Sequence, residues 1–179
     1  WDMSAEAAGE TMGKLMSVFG RNVEGAVSLG DAVNHLSNNM NALPSSIANV
    51  LTRAGAAGTA LGLQAEQVAA LSATLLSLGV PAEVAGTGMN ALFSKLATID
   101  KQGKPFKAAL KAMGLNAKTF AKDVAKDPQA AITNLLGKLE KAGPKAQGYL
   151  IDMFGAEYAD DVMRLVKAQK EYARALDLV

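Results

Sequence analysis

Two stripes of apolar residues at helical spacing predict a pair of helices in the middle of the chain. The first stripe consists of Val68, Leu71, Leu75 and Leu78, and the second of Val84, Met89, Leu92, Phe93 and Leu96. Gly79 and Pro81 lie between the stripes. They predict a tight corner, because glycine commonly ends a helix and proline fits the first turn of the next one.

This central region carries very little charge. Between Arg53 and Lys95 the only charged residues are Glu66 and Glu83. Each lies in a predicted first helical turn, where a carboxylate is favoured by the free backbone N–H groups. We expect so uncharged a stretch to be buried, either by this domain or by a partner.

Shorter stripes predict further helices on both sides of the central pair, and Asn116 and Asp127-Pro128 are the predicted starts of two of them. The third helix is expected to begin at Pro44 and to dissolve into a flexible connector of small residues at 54–62. The last helix begins near Glu157 and shows no stop signal before Val179. No stretch alternates apolar and polar residues for long enough to predict a strand. The expected fold class is therefore all-α, an irregular multi-helix bundle of about eight to ten short helices.

One corner motif recurs along the chain. An apolar residue, a glycine and then a polar helix start occur at Phe19-Gly20, Leu61-Gly62, Met113-Gly114 and Phe154-Gly155. Glycine at these positions suits the left-handed backbone that ends a helix. The motif predicts many short helices that meet at sharp angles.

The polar segment 100–105 is the best candidate for a boundary between subdomains. It divides the chain into an N-terminal helical subdomain, 1–100, with the central apolar helix pair, and a C-terminal helical subdomain, 104–179. The chain starts at Trp1 without an initiator methionine or signal peptide, which indicates a piece of a longer protein.

Composition excludes several kinds of site. There is no cysteine and a single histidine, His35, so neither a disulfide framework nor a two-histidine metal site is available. His35 lies in an asparagine-rich segment without a nucleophile or an orienting acid, and a polar helix face explains it best. The glycines near Gly58 do not match a phosphate-binding loop. We therefore predict no catalytic residues, no metal and no cofactor.

Charge is distributed unevenly along the chain, although the net charge is only +1. Residues 1–100 carry −4, residues 101–145 carry +7 and residues 146–179 carry −2. The basic block contains three sets of lysines at helical spacing: Lys104, Lys107 and Lys111; Lys118, Lys122 and Lys126; and Lys138, Lys141 and Lys145. Each set predicts one basic helix face, which is either simply solvated or contacts phosphates non-specifically or an acidic protein surface. Without arginine in the block, base readout is not expected.

The end of the chain shows a different pattern. Its heptad positions alternate three and four apart, at Val162, Leu165, Gln169, Tyr172 and Leu176, and Gln169 is the one polar residue among them. This spacing is typical of a coiled-coil seam, so the last helix is a candidate to leave the domain and associate with copies of itself. An ordinary amphipathic helix on the core explains the pattern equally well.

Several stretches together resemble a known family. They are, in order, LSNNMN (36–41), LSLGVPAEVAGTGMNALFSKL (76–96), DKQGK (100–104), KDPQA (126–130) and DMFGAEY (152–158). This ordered set resembles the conserved core of phage tail tape measure proteins of the TP901 type and covers most of the chain. No single one of these stretches is specific alone.

The resemblance implies a structural segment of a long virion protein that lies inside the tail tube. Such a protein sets tail length during assembly in the host cytoplasm and leaves ahead of the DNA. The implied partners are further copies, tube and tip proteins and an assembly chaperone. DNA contact is expected to be non-specific if it occurs, and membrane contact is confined to ejection. An alternative is a pore-forming effector segment that inserts the low-charge stretch 54–94 into an envelope.

Overall fold

The computed structural model describes all residues, 1–179, and confirms the all-α prediction, with 83% of the chain helical and no strand. The α-helices are α1 (Ala5–Phe19), α2 (Val23–Asn39), α3 (Pro44–Leu61), α4 (Ala65–Ser77), α5 (Ala82–Ala97), α6 (Lys104–Ala112), α7 (Ala117–Lys126), α8 (Pro128–Ala142), α9 (Ala146–Phe154), α10 (Ala156–Lys167) and α11 (Gln169–Asp177). Short 3₁₀ turns at Ile99–Lys101 and Gly143–Lys145 join α5 to α6 and α8 to α9.

Local sequence sets where many of these helices begin. The side chains of Ser4, Asn22, Asn116 and Asp127 each accept a hydrogen bond from a backbone N–H in the first turn, at 2.9–3.2 Å. Such caps satisfy N–H groups that have no partner within the helix. The predicted starts at Asn116 and at Asp127-Pro128 are therefore confirmed.

Glycine forms the corner after each of the four predicted motifs. Gly20, Gly62, Gly114 and Gly155 all adopt positive φ, as does Gly79 in the central corner. No residue other than glycine has a positive φ in this chain. Because L-residues with a Cβ are disfavoured there, glycine lets the helices reverse direction within two or three residues.

The predicted flexible connector at 54–62 is wrong, because α3 continues without interruption to Leu61. Its small residues mark close packing instead of flexibility. A Cβ at Gly55 would lie 2.6 Å from the side chains of Val18 and Phe19, and one at Gly58 would lie 2.7 Å from Val68 Cγ2. Glycine at these two positions allows α1 and α4 to approach the backbone of α3.

Helix α4 is the centre of the fold. It packs against α2, α3, α5, α10 and α11, and almost all its residues from Ala65 to Leu75 are buried. The hydroxyls of Ser72 and Thr74 are fully buried and donate to the carbonyl oxygens of Val68 and Ala70, at 2.7 and 2.8 Å. Burial by other helices of the same chain therefore explains why this region carries so little charge. None of the helices combines the length and the apolar character needed to cross a bilayer.

Both halves of the chain share one hydrophobic core of 47 buried residues. Helix α10 packs against α5, and α11 packs against α4. A Cβ at Gly88 would lie 2.9 Å from the carboxylate of Asp161, so α5 and α10 are in close contact. Arg174 also donates a 2.7 Å hydrogen bond to the carbonyl oxygen of Asn39. The segment at 100–105 is thus a turn over a continuous core, and the division into subdomains 1–100 and 104–179 stays a prediction.

An ion pair that the sequence did not reveal joins the start of α2 to the start of α4. Arg21 donates to both carboxylate oxygens of Glu66, at 2.5 and 2.7 Å, and both side chains are about three-quarters buried. Desolvation raises the pKa of Glu66, but the hydrogen bonds and charge of Arg21 outweigh it and hold the pKa below its ordinary value. Bidentate pairs of this kind fix geometry as well as contribute energy.

Glu66→Gln is expected to lower the free energy of unfolding at pH 7 by about 1–3 kcal/mol, because a charge-assisted bidentate contact is lost. Since the folded-state pKa is depressed, the stabilisation is complete above the unfolded value, about 4.3. It is lost as the pH falls through the lower folded value. Urea unfolding of both proteins from pH 7 to pH 2 measures this difference.

Glu83→Gln is the control, because the Arg53–Glu83 pair is 3.9 Å apart and mostly exposed. That change should have little effect at any pH. A Glu66→Gln difference that stayed constant down to pH 2 would contradict the assignment.

Candidate functional site

The basic block forms a surface on α6, α7 and α8, on which nine of the ten lysines are exposed and Lys138 is half-buried. Apolar residues on one side of α6 and α7, such as Phe106 and Phe120, are buried and anchor these helices to the core. Phe106 also meets Phe154 of α9 edge-on, with ring centroids 6.2 Å apart. The lysines lie on the opposite side of α6 and α7, where every one of them is exposed.

None of the ten lysines between 101 and 145 forms an ion pair with a carboxylate. The ion pairs of the chain involve Lys14, Arg21, Arg53 and Arg174, all outside this block. Lys107 makes a single polar contact, a 2.9 Å hydrogen bond to the carbonyl oxygen of Asp100. The positive charge of the block is therefore not neutralised within the chain.

Lysines from two of the three predicted sets converge at the corner between α6 and α7. The corner is closed by backbone hydrogen bonds from Gly114 to Lys111 and from Leu115 to Leu110, both 2.9 Å. Lys138 of α8 reaches this corner, since its Nζ lies 3.8 Å from the place that a Cβ at Gly114 would occupy.

Two shallow depressions flank the corner. One, of about 420 Å³, is lined by Lys138, Lys141 and Lys145 together with Met113 and Tyr149. The other, of about 480 Å³, is lined by Lys107 and Lys111 together with residues of the corner. We call Lys107, Lys111, Lys138, Lys141 and Lys145 the corner lysines.

The remaining predicted contact residues lie elsewhere on the surface. Lys104, Lys118, Lys122 and Lys126 are exposed but line neither depression. Sequence spacing grouped the lysines helix by helix, because it reports only which residues share a face. The meeting of α6 and α8 lysines depends on tertiary packing, and no signal in the sequence indicated it.

The heptad positions at the end of the chain face the core. Val162, Leu165 and Tyr172 are each at most 2% exposed. The prediction of an unbroken last helix is wrong, because α10 ends at Lys167 and α11 begins at Gln169. No glycine or proline marks this break.

The break at Ala168 has a structural consequence for the predicted seam. The Gln169 amide donates to the Leu136 carbonyl at 3.4 Å and to Glu140 at 3.0 Å, which fastens the break to α8. Tyr172 and Leu176 then pack on the core of the same chain. The amphipathic alternative thus explains the spacing, while self-association through Val162, Leu165, Gln169, Tyr172 and Leu176 stays a prediction that requires these helices to leave the core.

The Tyr172 hydroxyl and the segment around His35 are two further polar features of the chain. The Tyr172 hydroxyl is buried without a hydrogen bond in the chain, and burial raises its pKa far above the ordinary value, an effect that the nearby Gln129 side chain only partly offsets. The backbone carbonyl of His35 accepts a 2.8 Å hydrogen bond from Asn39, within the polar face predicted for it. No group of three or more acidic or histidine side chains is arranged to hold a metal ion.

Comparison with known proteins identifies the family of this helical chain. The sequence model of the phage-related minor tail proteins matches residues 1–155, most of the chain. The chain belongs to the phage-related minor tail protein family. This membership confirms the resemblance drawn from the sequence motifs and makes the chain part of a structural component of phage tails.

A curated relative is similar over nearly the same region. It is the probable tape measure protein of Halomonas phage phiHAP-1, 32% identical over 164 residues, which is 88% of this chain. The match spans only 18% of the length of that relative. No solved structure matches the chain.

Proposed function

We propose that this minor tail protein chain is a helical segment of a tail tape measure protein that contributes to tail length determination, tail assembly and the passage of DNA during ejection. The observation that carries the proposal is the family match over residues 1–155, together with a relative named as a probable tape measure protein. The fold supports it, because the polar groups form ion pairs, caps and an open basic surface instead of a convergent catalytic arrangement.

The proposed location is the inside of the tail tube in the virion and the host cytoplasm during assembly. The proposed partners are further copies of the chain, the tube and tip proteins and an assembly chaperone. Corners closed by left-handed glycines support a role in a filament that must repack. They divide the chain into short rigid helices whose directions can change at single residues.

Removal of the segment is expected to shorten the tail. The deletion of residues 1–179 is made in frame in the phage or prophage genome that encodes them. If these residues form one extended helix, at 1.5 Å per residue, the tail should become shorter by about 270 Å. If they stay folded as a compact domain of this size, the tail should become shorter by only about 40 Å. Tail lengths from negative-stain electron microscopy distinguish the two values.

A tandem duplication of the same segment is the matched control, and tails should lengthen by the same amount. The duplication keeps the test informative if the deletion prevents tail formation altogether. Intact tails of unchanged length with both the deletion and the duplication would contradict a role in length determination.

A further inference from the structure

We propose that the corner lysines bind the phosphate backbone of double-stranded DNA without sequence preference. The inference goes beyond the proposed role in the tail, because it assigns a ligand to a surface of this chain. It rests on the convergence of unpaired lysines from α6 and α8 around Gly114.

The charge of this surface is available to a ligand. No carboxylate forms an ion pair with any corner lysine. The nearest acidic residue along α8, Glu140, lies on the other side of that helix and accepts a hydrogen bond from Gln169. Asp127 is also occupied, because it caps the start of α8. The corner lysines are therefore not neutralised by an ion pair within the chain.

The spacing of the lysines fits a phosphate backbone. Lys107 and Lys111 lie four residues apart on α6, and Lys138 and Lys141 lie three residues apart on α8. Four helical residues rise about 6 Å and three about 4.5 Å. Successive phosphates of one DNA strand are about 3.4 Å apart along the axis, and every second one about 7 Å. Two such rows on either side of the corner can follow a backbone without a base contact.

The chemistry of the surface favours a duplex over the other polyanions. Lysine acts as a point charge for phosphates, and this surface lacks arginine, whose planar fork makes bidentate contacts to phosphates and to guanine edges. Single-strand binding uses exposed aromatic rings for stacking, and the one ring here, Tyr149, is only partly exposed. Protein interfaces are depleted in lysine and enriched in aromatic residues and arginine, so an acidic protein is the weaker candidate.

The test uses the whole chain and a fluorescent 20-base-pair duplex, with anisotropy measured between 50 and 200 mM salt. If all five corner lysines meet phosphates, the logarithm of the association constant should fall with a slope of about −4.5 against the logarithm of salt. Affinity should then drop about 500-fold over that range.

The decisive variant is Lys111→Gln/Lys138→Gln/Lys141→Gln, for which we expect a slope near −1.8 and a fall of only about 12-fold over the same range. The matched control is Lys118→Gln/Lys122→Gln/Lys126→Gln on α7. It removes the same charge from exposed positions outside the depressions and should keep the steep slope. Circular dichroism verifies that both variants remain helical.

Three results would overturn the proposal. The first is no binding of the duplex at 50 mM salt. The second is an equal loss of slope in the two variants, which would show attraction by net charge alone. The third is tighter binding of single-stranded DNA of the same length, or of polyglutamate, than of the duplex, which would assign the surface to another class of ligand.

Discussion

Phe93→Ala is expected to lower the free energy of unfolding by about 3–5 kcal/mol, the usual cost of removing a fully buried aromatic ring. The side chain of Phe93 is 0% exposed and lies on α5, at the interface with α3. Folded domains are stable by only about 5–15 kcal/mol, so this one change removes a large part of the total. Urea unfolding followed by circular dichroism gives the difference.

Val84→Ala on the same helix is the control. Val84 is 42% exposed, and its truncation should change stability by less than about 0.5 kcal/mol. Because one core joins both halves, Phe93→Ala should shift a single transition that includes α6 to α11. An unfolding curve in which residues 104–179 kept the original midpoint would instead support two independent subdomains.

Two helical glycines with different surroundings, Gly58 and Gly13, should respond in opposite ways to substitution by alanine. Gly58→Ala is expected to destabilise the protein by about 1–2 kcal/mol, since overpacking outweighs the gain of about 1 kcal/mol in helix propensity. The new Cβ would lie 2.7 Å from Val68 Cγ2 and 3.4 Å from the ring of Phe93. Gly13→Ala, in an exposed part of α1 with no atom within 4 Å, should stabilise by up to about 1 kcal/mol.

A double-mutant cycle tests the cause of the Gly58 effect. Val68→Ala alone leaves a cavity, but in combination with Gly58→Ala the added methyl group occupies part of that space. The two changes should therefore be less destabilising together than their sum, by about 0.5–3 kcal/mol. Additive effects, or Gly58→Ala stabilising as Gly13→Ala does, would show that α4 does not press on α3 at this point.

The sequence predicted well those features that depend on neighbouring residues. The helix ends at Gly62 and Gly114 and the starts at Asn116 and Asp127 follow from local backbone chemistry, and the structure has them all. The apolar stripes of α4 and α5 likewise predicted burial, and their neighbours are helices of the same chain. Leu78 and Val84 are exceptions, because they flank the corner at Gly79 and are 41% and 42% exposed.

Features that depend on distant parts of the chain were missed or misinterpreted. The glycines of 54–62 indicated a flexible connector because sequence alone does not show which side chains press against them. The same limit applies to the Arg21–Glu66 pair, whose members are 45 residues apart. The break at Ala168 carries no helix-ending residue, so only the packing of Tyr172 and the bonds of Gln169 reveal why the helix divides there.

The corner lysines illustrate both sides of this limit. Helical spacing predicted that each set forms a basic face, and the lysines of α6 and α7 are all exposed, in agreement with that prediction. Which faces adjoin depends on how α8 crosses the corner at Gly114, a property of the whole bundle. The proposed DNA surface was therefore visible in the sequence only as separate pieces.

The only tryptophan of the chain, Trp1, lies against Gly30 and Met12, between α1 and α2. Helix α1 contributes a single fully buried residue, Leu15. The fluorescence of Trp1 therefore reports whether α1 is packed against α2. Far-ultraviolet ellipticity reports on the helices of the whole bundle. Non-coincident curves from the two signals would reveal an N-terminal arm that detaches before the rest of the protein melts.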